Sequence, residues 1–266
     1  MRLDESFRNF DPEKALNETL GFIRKVVKKS NASGVVLGMS GGVDSSLTAV
    51  LCVRALDKEK VLGILMPTSF TPKEDVEDGF DLAKSLGIRT EMVNIDEIGG
   101  SFVKTLKISE GDCGTRVPLA NIRARVRMAV LYFYANVNNY LVAGTSDRSE
   151  ALIGYFTKYG DGGADFLPIR HLFKTQVRKL ASYLGVPERM AFKPSSPQLY
   201  PGHKISDELP LDYDRLDPVL VGLFDYKLPV EKVSEMAKVP LDAVMEIVRR
   251  HKRTEHKRCL PQAIKQ

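Results

Sequence analysis

Val35-Val36-Leu37-Gly38-Met39-Ser40-Gly41-Gly42-Val43-Asp44-Ser45-Ser46 passes from an apolar, β-branched run through a glycine-rich turn into helix-compatible sequence. Two chemistries compete for this stretch. The spacing Gly38-Met39-Ser40-Gly41-Gly42 satisfies G-x-S-x-G, the nucleophile elbow of serine hydrolases. The same residues also suit a phosphate cradle, because glycines let backbone N–H groups approach oxygens and a helix N-terminus attracts anions. Ser40 is a nucleophile in the first reading and a hydrogen-bond donor in the second. In both, a strand enters the turn and a helix leaves it.

The flanking sequence repeats that alternation. Asp11-Pro12 has the form of an N-cap followed by N1, and Leu16, Leu20, Ile23 and Val27 recur at helical spacing, so a helix is expected over 12–29. Val61–Met66 reads as a second strand. Thr71-Pro72-Lys73-Glu74 has the form of a capping box before a helix that stops at Gly87. Arg89–Ile95 reads as a third strand, 119–138 as a long helix, Tyr140–Ala143 as a fourth strand and Leu167-Pro168-Ile169 as a short, proline-limited fifth. Helices are expected at 174–184, 230–238 and 240–252. Strands alternating with helices imply right-handed βαβ units. The expectation is therefore an α/β fold: one domain over 1–266, a parallel five-stranded sheet with helices on both faces, a lid-like loop at about 193–214, and a small C-terminal helical appendage at about 228–258. Ligands of such sheets bind at the carboxyl ends of the strands. The opening stretch and Gly144-Thr145 both fall there.

The elbow reading lacks partners. It needs an oxyanion donor from an earlier strand–helix junction, and only one helix precedes the first strand. None of His171, His203, His251 and His256 stands in a triad pattern. The cradle is not a Walker A loop, since no Gly-Lys-Ser/Thr follows. It carries Asp44 and Ser45 instead. A carboxylate beside a phosphate site calls for a cation between them, and Mg²⁺ commonly binds through one or two carboxylates plus phosphate oxygens.

Ser40-Gly41-Gly42-Val43-Asp44-Ser45 resembles the SGGxDS loop of N-type ATP pyrophosphatases. This resemblance implies an adenine nucleotide alpha hydrolase-like fold and cleavage of ATP between its α- and β-phosphates. The loop sets the class and leaves the substrate open. Four more segments narrow it: Asn121–Met128, Gly144–Glu150, Gly154–Asp165 and His256-Lys257-Arg258. Together they resemble the NAD synthetase family over about residues 12–261. With no amidohydrolase region ahead of them, the ammonia-dependent form is the one resembled. The implied reaction is ATP-dependent amidation of nicotinic acid adenine dinucleotide through an adenylate, with ammonia as nitrogen source and AMP and pyrophosphate released. The resemblance makes Asp44, Lys174 and Ser195 catalytic and Asp44 and Glu150 the Mg²⁺ ligands. It gives Ser40, Gly41, Gly42, Val43, Asp44, Ser45, Thr145, Lys174, Ser195, His256 and Lys257 to ATP. It gives Arg125, Tyr132, Lys158, Asp161 and Asp165 to the dinucleotide. In Ser206–Tyr213 this chain is shorter than the family, with Pro210 in place of a Gly, which leaves Asp207 and Glu208 as acidic alternatives facing the substrate.

Composition is consistent with that reading. The 266 residues are 43% hydrophobic, with a formal charge of +5 and interspersed charges, which argues against disorder. Cys52, Cys113 and Cys259 are odd in number and widely spaced, so a disulfide framework or zinc site is not expected and a reducing cytoplasm fits. No apolar run reaches the ~18 residues of a membrane span. Two rivals use the basic C-terminus. One is a ligase of the same class acting on a tRNA base. The other is a DNA-binding helix-turn-helix at 230–244 followed by Arg249–Arg253. Neither nucleic acid nor membrane is the expected partner. In the long helix, Ile122, Val126, Ala129, Val130 and Phe133 form one apolar stripe and Met128, Leu131 and Tyr132 another, with Arg125 beside them. A helix apolar on two sides is buried on two sides. One side suits the sheet and the other an isologous homodimer contact.

Overall fold

The structure, a computed structural model, describes residues 3–108, 114–194, 199–200, 202, 208–261 and 263–264. Ser195, His203, Asp207 and Cys113 therefore lie outside the described residues. The elements are α1 (Glu5–Arg8), α2 (Pro12–Lys29), β1 (Gly34–Gly38), α3 (Val43–Leu56), β2 (Val61–Leu65), α4 (Lys73–Leu86), β3 (Arg89–Met92), α5 (Asp96–Thr105), α6 (Arg116–Asn138), β4 (Tyr140–Val142), α7 (Arg148–Ile153), α8 (Lys174–Tyr183), α9 (Glu188–Ala191), α10 (Tyr213–Leu220), α11 (Val230–Ala237), α12 (Leu241–Arg253) and α13 (Glu255–Arg258).

Four parallel strands form the sheet in the order β3-β2-β1-β4. Val35 pairs with Val61 on one side and Leu141 on the other. The side chains alternate between faces, as a pleated strand requires. Val35 and Leu37 enter the core built with α2, α3 and α8, whereas Val36, Leu62 and Ile64 pack on the opposite face with Val126 and Ala135 of α6. Burial on both faces explains why β1 and β2 read as continuous apolar runs. Each fully buried Leu or Ile contributes about 1.5–3 kcal/mol, so these two faces dominate the stability of the sheet. Helix α2 is amphipathic, with Ala15, Thr19, Ile23 and Val27 buried at i, i+4 spacing. Its Asp11 N-cap accepts the Lys14 N–H at 3.0 Å.

The chain winds outward from β1 through β2 to β3, then crosses back over α5 and α6 to β4 on the other side of β1. That reversal opens a crevice between the carboxyl ends of β1 and β4. A third apolar cluster joins α10, α11 and α12 through Leu216, Val219, Val233, Val244 and Ile247, and also takes in Phe7, Ile153 and Phe173. Among the described residues no helix is long and apolar enough to cross a membrane.

Four expectations need correction. The sheet has four strands, not five. Near Leu167-Pro168-Ile169 only a bridge between Ala143 and Phe166 forms. Pro168 has no N–H to give a ladder, the Asp165 carboxylate takes the Val142 N–H at 2.7 Å, and Leu172 N–H turns back to Ile169 at 3.0 Å. The third strand ends at Met92 rather than Ile95, because Asn94 accepts the Asp96 N–H at 2.8 Å and turns the chain into α5. The capping box at Thr71 does not form. Pro72 is the N-cap, and Thr71 closes a local turn by accepting the Thr68 N–H at 2.9 Å. Finally, the two stripes of α6 divide differently. Ile122, Val126, Val130, Leu131 and Tyr132 share the sheet side, whereas Ala129 and Phe133 join Arg125 and Val137 on an exposed face.

Candidate active site

The turn between β1 and α3 is held by its own hydroxyls. Ser40 Oγ lies 3.0 Å from Ser45 Oγ and accepts the Gly42 N–H at 3.3 Å. Ser45 Oγ and Ser46 Oγ both donate to the Gly42 carbonyl, at 3.0 and 2.7 Å. Gly41 has φ +75°, and a Cβ there would meet the Asp75 carbonyl oxygen at 2.2 Å, so only glycine lets the turn close against α4. The first amides of α3 have no intrahelical acceptor and carry the positive end of the helix dipole. Among the described residues no histidine lines the adjoining cavity. His171 lies beside Thr19, and His251 Nδ1 is 2.7 Å from the Leu152 carbonyl. Among the described residues Ser40 therefore has no imidazole base, and the elbow reading is set aside.

Behind the turn lies a cluster of charge. Lys174, the first residue of α8, places Nζ 2.6 Å from Asp44 Oδ2, 3.0 Å from Asp147 Oδ2 and 3.0 Å from Glu150 Oε1. The first and third contacts are hydrogen bonds, whereas Asp147 Oδ2 is an ion-pair partner without hydrogen-bond alignment. Lys174 and Asp147 are 0% exposed, and Asp44 and Glu150 keep 20% and 18% of their side chains open. Burial alone would lower the Lys174 ammonium, but Asp147, Asp44 and Glu150 hold it well above its ordinary value. Burial also pushes the carboxyls of Glu150 and Asp147 up, against the pull of Lys174. Asp147 is the N-cap of α7, and its Oδ1 accepts the Glu150 N–H at 2.8 Å. Helix α7 is fastened at its other end by cations, as its dipole favours. Lys257 Nζ donates to the carbonyls of Gly154 and Phe156 at 2.9 and 2.7 Å, and Arg258 donates to Ala151.

Among the described residues Lys174 is the one cation in ion-pair contact with the three carboxylates, with Arg170 acting on Asp147 and Glu150 from further away. Asp44 Oδ1 is buried with no hydrogen-bond partner among the described residues. Both observations fit a hard divalent cation on the cavity side of Asp44 and Glu150. Among the described residues no group of three or more His, Cys, Asp or Glu side chains is arranged to hold a metal. A cation at this pair would take its remaining ligands from oxygens of a bound anion.

The cavity measures about 680 Å³ and spans the ends of β1, β2 and β4 and the first half of α6. Its wall includes Ser40, Gly42, Val43, Asp44, Ser45, Thr145, Glu150, Asp161 and Lys257 of the residues expected from sequence. Gly41 is buried beneath the turn. Lys174 is not on the wall but behind Asp44 and Glu150. His256 is exposed and off the wall. Arg125, Tyr132, Lys158 and Asp165 are also off the wall: Arg125 lies on the exposed face of α6, Tyr132 at the edge of its sheet side, and Lys158 and Asp165 in the loop that follows α7. There Arg125 donates to the Lys158 carbonyl at 3.3 Å and Tyr132 Oη to Asp165 Oδ1 at 3.1 Å. Asp161 Oδ1 accepts the Thr157 N–H at 2.8 Å within the glycine-rich loop, and Thr157 Oγ1 donates to Asn121 Oδ1 of α6 at 2.7 Å. Glu208 lines the cavity and accepts from Tyr200 Oη at 3.1 Å.

Sequence reasoning passed over several of the site's charged groups, Asp147 and Arg127 among them, with Lys193 and Arg250 also on the cavity wall. Asp147 could have been found, because Asp147-Arg148-Ser149-Glu150 has capping-box spacing directly after a strand. Arg127 lines the cavity and donates to the Met66 carbonyl at 3.2 Å. Burial and the neighbouring Arg123 push its guanidinium down to about 10. Its i, i+4 relation to Arg123 in a motif already singled out was the available signal.

The cluster predicts the consequence of losing its cation. Lys174→Met keeps much of the buried stem but leaves three carboxylates without their ammonium. A loss of about 3–5 kcal/mol in unfolding free energy is expected from denaturant titration at pH 8. A loss below about 1 kcal/mol would show that the ammonium is not the charge holding the cluster.

The sequence matches the family model described as NAD synthase over residues 15–261. An NH3-dependent NAD+ synthetase of Staphylothermus marinus is 47% identical over 254 residues, covering 95% of this chain and 91% of that one. Among solved structures, an NH3-dependent NAD synthetase from Campylobacter jejuni in complex with the nitrate ion is 33% identical, with a TM-score of 0.79 over 96% of this chain and 100% of that one. An NMN synthetase from Francisella tularensis is 30% identical, with a TM-score of 0.83 over 96% of this chain and 99% of that one. With a glycine-rich helix start, two cavity-facing carboxylates and this likeness along nearly its whole length, the chain belongs to the NAD synthase family.

Proposed function

We infer that the chain is an ammonia-dependent NAD synthetase, converting nicotinic acid adenine dinucleotide to NAD with ATP and ammonia and releasing AMP and pyrophosphate. The observation that carries this reading is the Asp44–Lys174–Glu150 cluster beside the glycine-rich start of α3. Catalysis then consists of positioning and charge neutralisation, because the nucleophile of the first step is the substrate's own carboxylate. Ser40, Ser45 and the amide at Val43 would receive the pyrophosphate portion of ATP, the Gly42 N–H being taken by Ser40 Oγ. Asp44 and Glu150 hold Mg²⁺. A Mg²⁺ held there would supply charge neutralisation for the phosphate oxygens. Lys174 acts as the counter-ion that fixes the two carboxylates, a different part from direct contact with phosphate. Thr145, Lys257 and Arg127 complete the cavity wall around the nucleotide. His256 is exposed and off the cavity wall, beside the Lys257 that lines it.

The assay is direct: protein, the dinucleotide carboxylic acid, ATP, Mg²⁺ and ammonium. NAD, AMP and pyrophosphate are the expected products in equal amounts. Release of ADP would sink the class assignment. The mononucleotide acid belongs in the same assay, since a structural relative is an NMN synthetase. Preferential amidation of the mononucleotide would move the substrate reading to it.

Homodimer formation is part of the same proposal. Ala129, Phe133 and Val137 line the exposed face of α6, with Phe133 63% and Val137 68% open. Ile98 and Phe102 are exposed on the neighbouring α5. Arg125, Tyr132, Lys158 and Asp165 border that face. A second copy across a two-fold axis would cover the apolar strip and enclose the dinucleotide against these polar groups. We place this reaction in the cytoplasm. Phe133→Glu should convert dimer to monomer in light scattering and raise the KM for the dinucleotide several-fold. A variant that remains dimeric with unchanged KM would remove the face from the interface.

A further inference from the structure

Asp217 is a carboxylate with 0% exposure to which the chemistry above gives no task. It comes from α10, in the C-terminal cluster, and meets the active-site elements from behind. Its Oδ1 accepts the Ser149 hydroxyl at 2.5 Å. Its Oδ2 accepts the Thr175 N–H and the Thr175 hydroxyl, each at 2.8 Å. Ser149 Oγ in turn accepts the Lys174 N–H at 2.9 Å. Ser149 immediately precedes Glu150, and Thr175 immediately follows Lys174. One buried group therefore ties the first turn of α7 to the first turn of α8, the two turns that deliver the Glu150–Lys174 pair.

We propose that Asp217 is a positioning residue for the amidation: it sets the distance between the starts of α7 and α8, so that the C-terminal helices govern how Glu150 and Lys174 meet. The proposal rests on the function inferred above. Its chemical basis is that every group facing Asp217 is a donor, so both of its oxygens must accept. An amide cannot meet that demand. In Asp217→Asn the NH₂ faces either the Thr175 N–H, donor against donor, or Ser149. Facing Ser149, it takes a lone pair and leaves the Ser149 O–H without an acceptor. At least one hydrogen bond is lost in either rotamer, with side-chain volume almost unchanged. Burial pushes the Asp217 carboxyl up to about 6, against the pull of the Ser149 and Thr175 hydrogen bonds, which leaves it charged at pH 8.

The test is steady-state kinetics at pH 8 on the full chain, wild type against Asp217→Asn, Ser149→Ala and the double variant, with saturating ammonium. Asp217→Asn is expected to lower kcat about tenfold or more, as loss of a supporting partner does, while the KM for the dinucleotide stays within about twofold. Because Asp217 acts through Ser149, the double variant should fall little further than the worse single one. A kcat for folded Asp217→Asn within about twofold of wild type would overturn the proposal, as would fully multiplicative losses in the double variant. If Asp217→Asn does not fold, Ser149→Ala decides alone. A reduced kcat at unchanged KM supports the coupling, and a wild-type kcat overturns it. Wild-type protein that makes no NAD would remove the functional reading, whereas active wild type with unimpaired Asp217→Asn removes only the role of Asp217.

Discussion

Lys174 Nζ, wholly shielded from solvent, lies within 3.0 Å of carboxylates that follow two different strands: Asp44 after β1, and Asp147 and Glu150 after β4. Taking four charged groups out of water is expensive, and the arrangement survives only if each finds its counter-charge and hydrogen bonds. The surrounding fold meets most of that demand. Asp147 caps α7, Ser149 and Asp217 brace the start of α8, and Lys257 and Arg258 fasten the far end of α7. The two carboxylates nearest solvent are left facing the cavity, one with a buried oxygen that has no hydrogen-bond partner among the described residues. That pair stands at the mouth of the glycine-rich turn, where the proposed Mg²⁺ would sit with the nucleotide.

The same constraint decides between the two chemistries of the β1–α3 turn. Ser40 is occupied by its neighbours, Ser45 and Gly42, and no imidazole lines the cavity among the described residues. A nucleophilic serine needs a base and an oxyanion site. A cradle needs glycine geometry, free amides and a nearby cation site. Gly41, pressed against the Asp75 carbonyl at positive φ, and the Asp44–Glu150 pair provide the second set. The chemistry therefore leaves the serine and passes to a substrate carboxylate and a phosphorus held in place.

Much of the fold and part of the site were legible in the sequence. The β1–α3 and β4–α7 junctions stood out because local rules write them: β-branched runs buried on two faces, glycines at close approaches, acidic residues at helix starts. The fifth strand and the Thr71 capping box misled because tertiary partners took the groups those motifs would have used. Pro168 has no N–H to give, and Thr71 serves Thr68. The α6 stripes divided differently because the face a residue shows depends on where the sheet lies, which spacing along one helix does not state. Lys174 was visible as a residue and not as a buried counter-ion, since its partners are brought together by strand order. Asp217 carried no signal, lying 68 positions from the Ser149 that it holds.

Asp44 and Glu150, braced by Lys174, are the cation site proposed above, with ATP supplying the remaining ligands. Electron paramagnetic resonance of Mn²⁺, with and without a non-cleavable α,β-methylene analogue of ATP, tests this without requiring turnover. Wild-type protein should bind Mn²⁺ weakly alone and much more tightly with the analogue, and Asp44→Asn or Glu150→Gln should weaken the ternary binding about tenfold or more. Unchanged Mn²⁺ affinity in both variants would contradict the account, because the carboxylates would then be holding only Lys174.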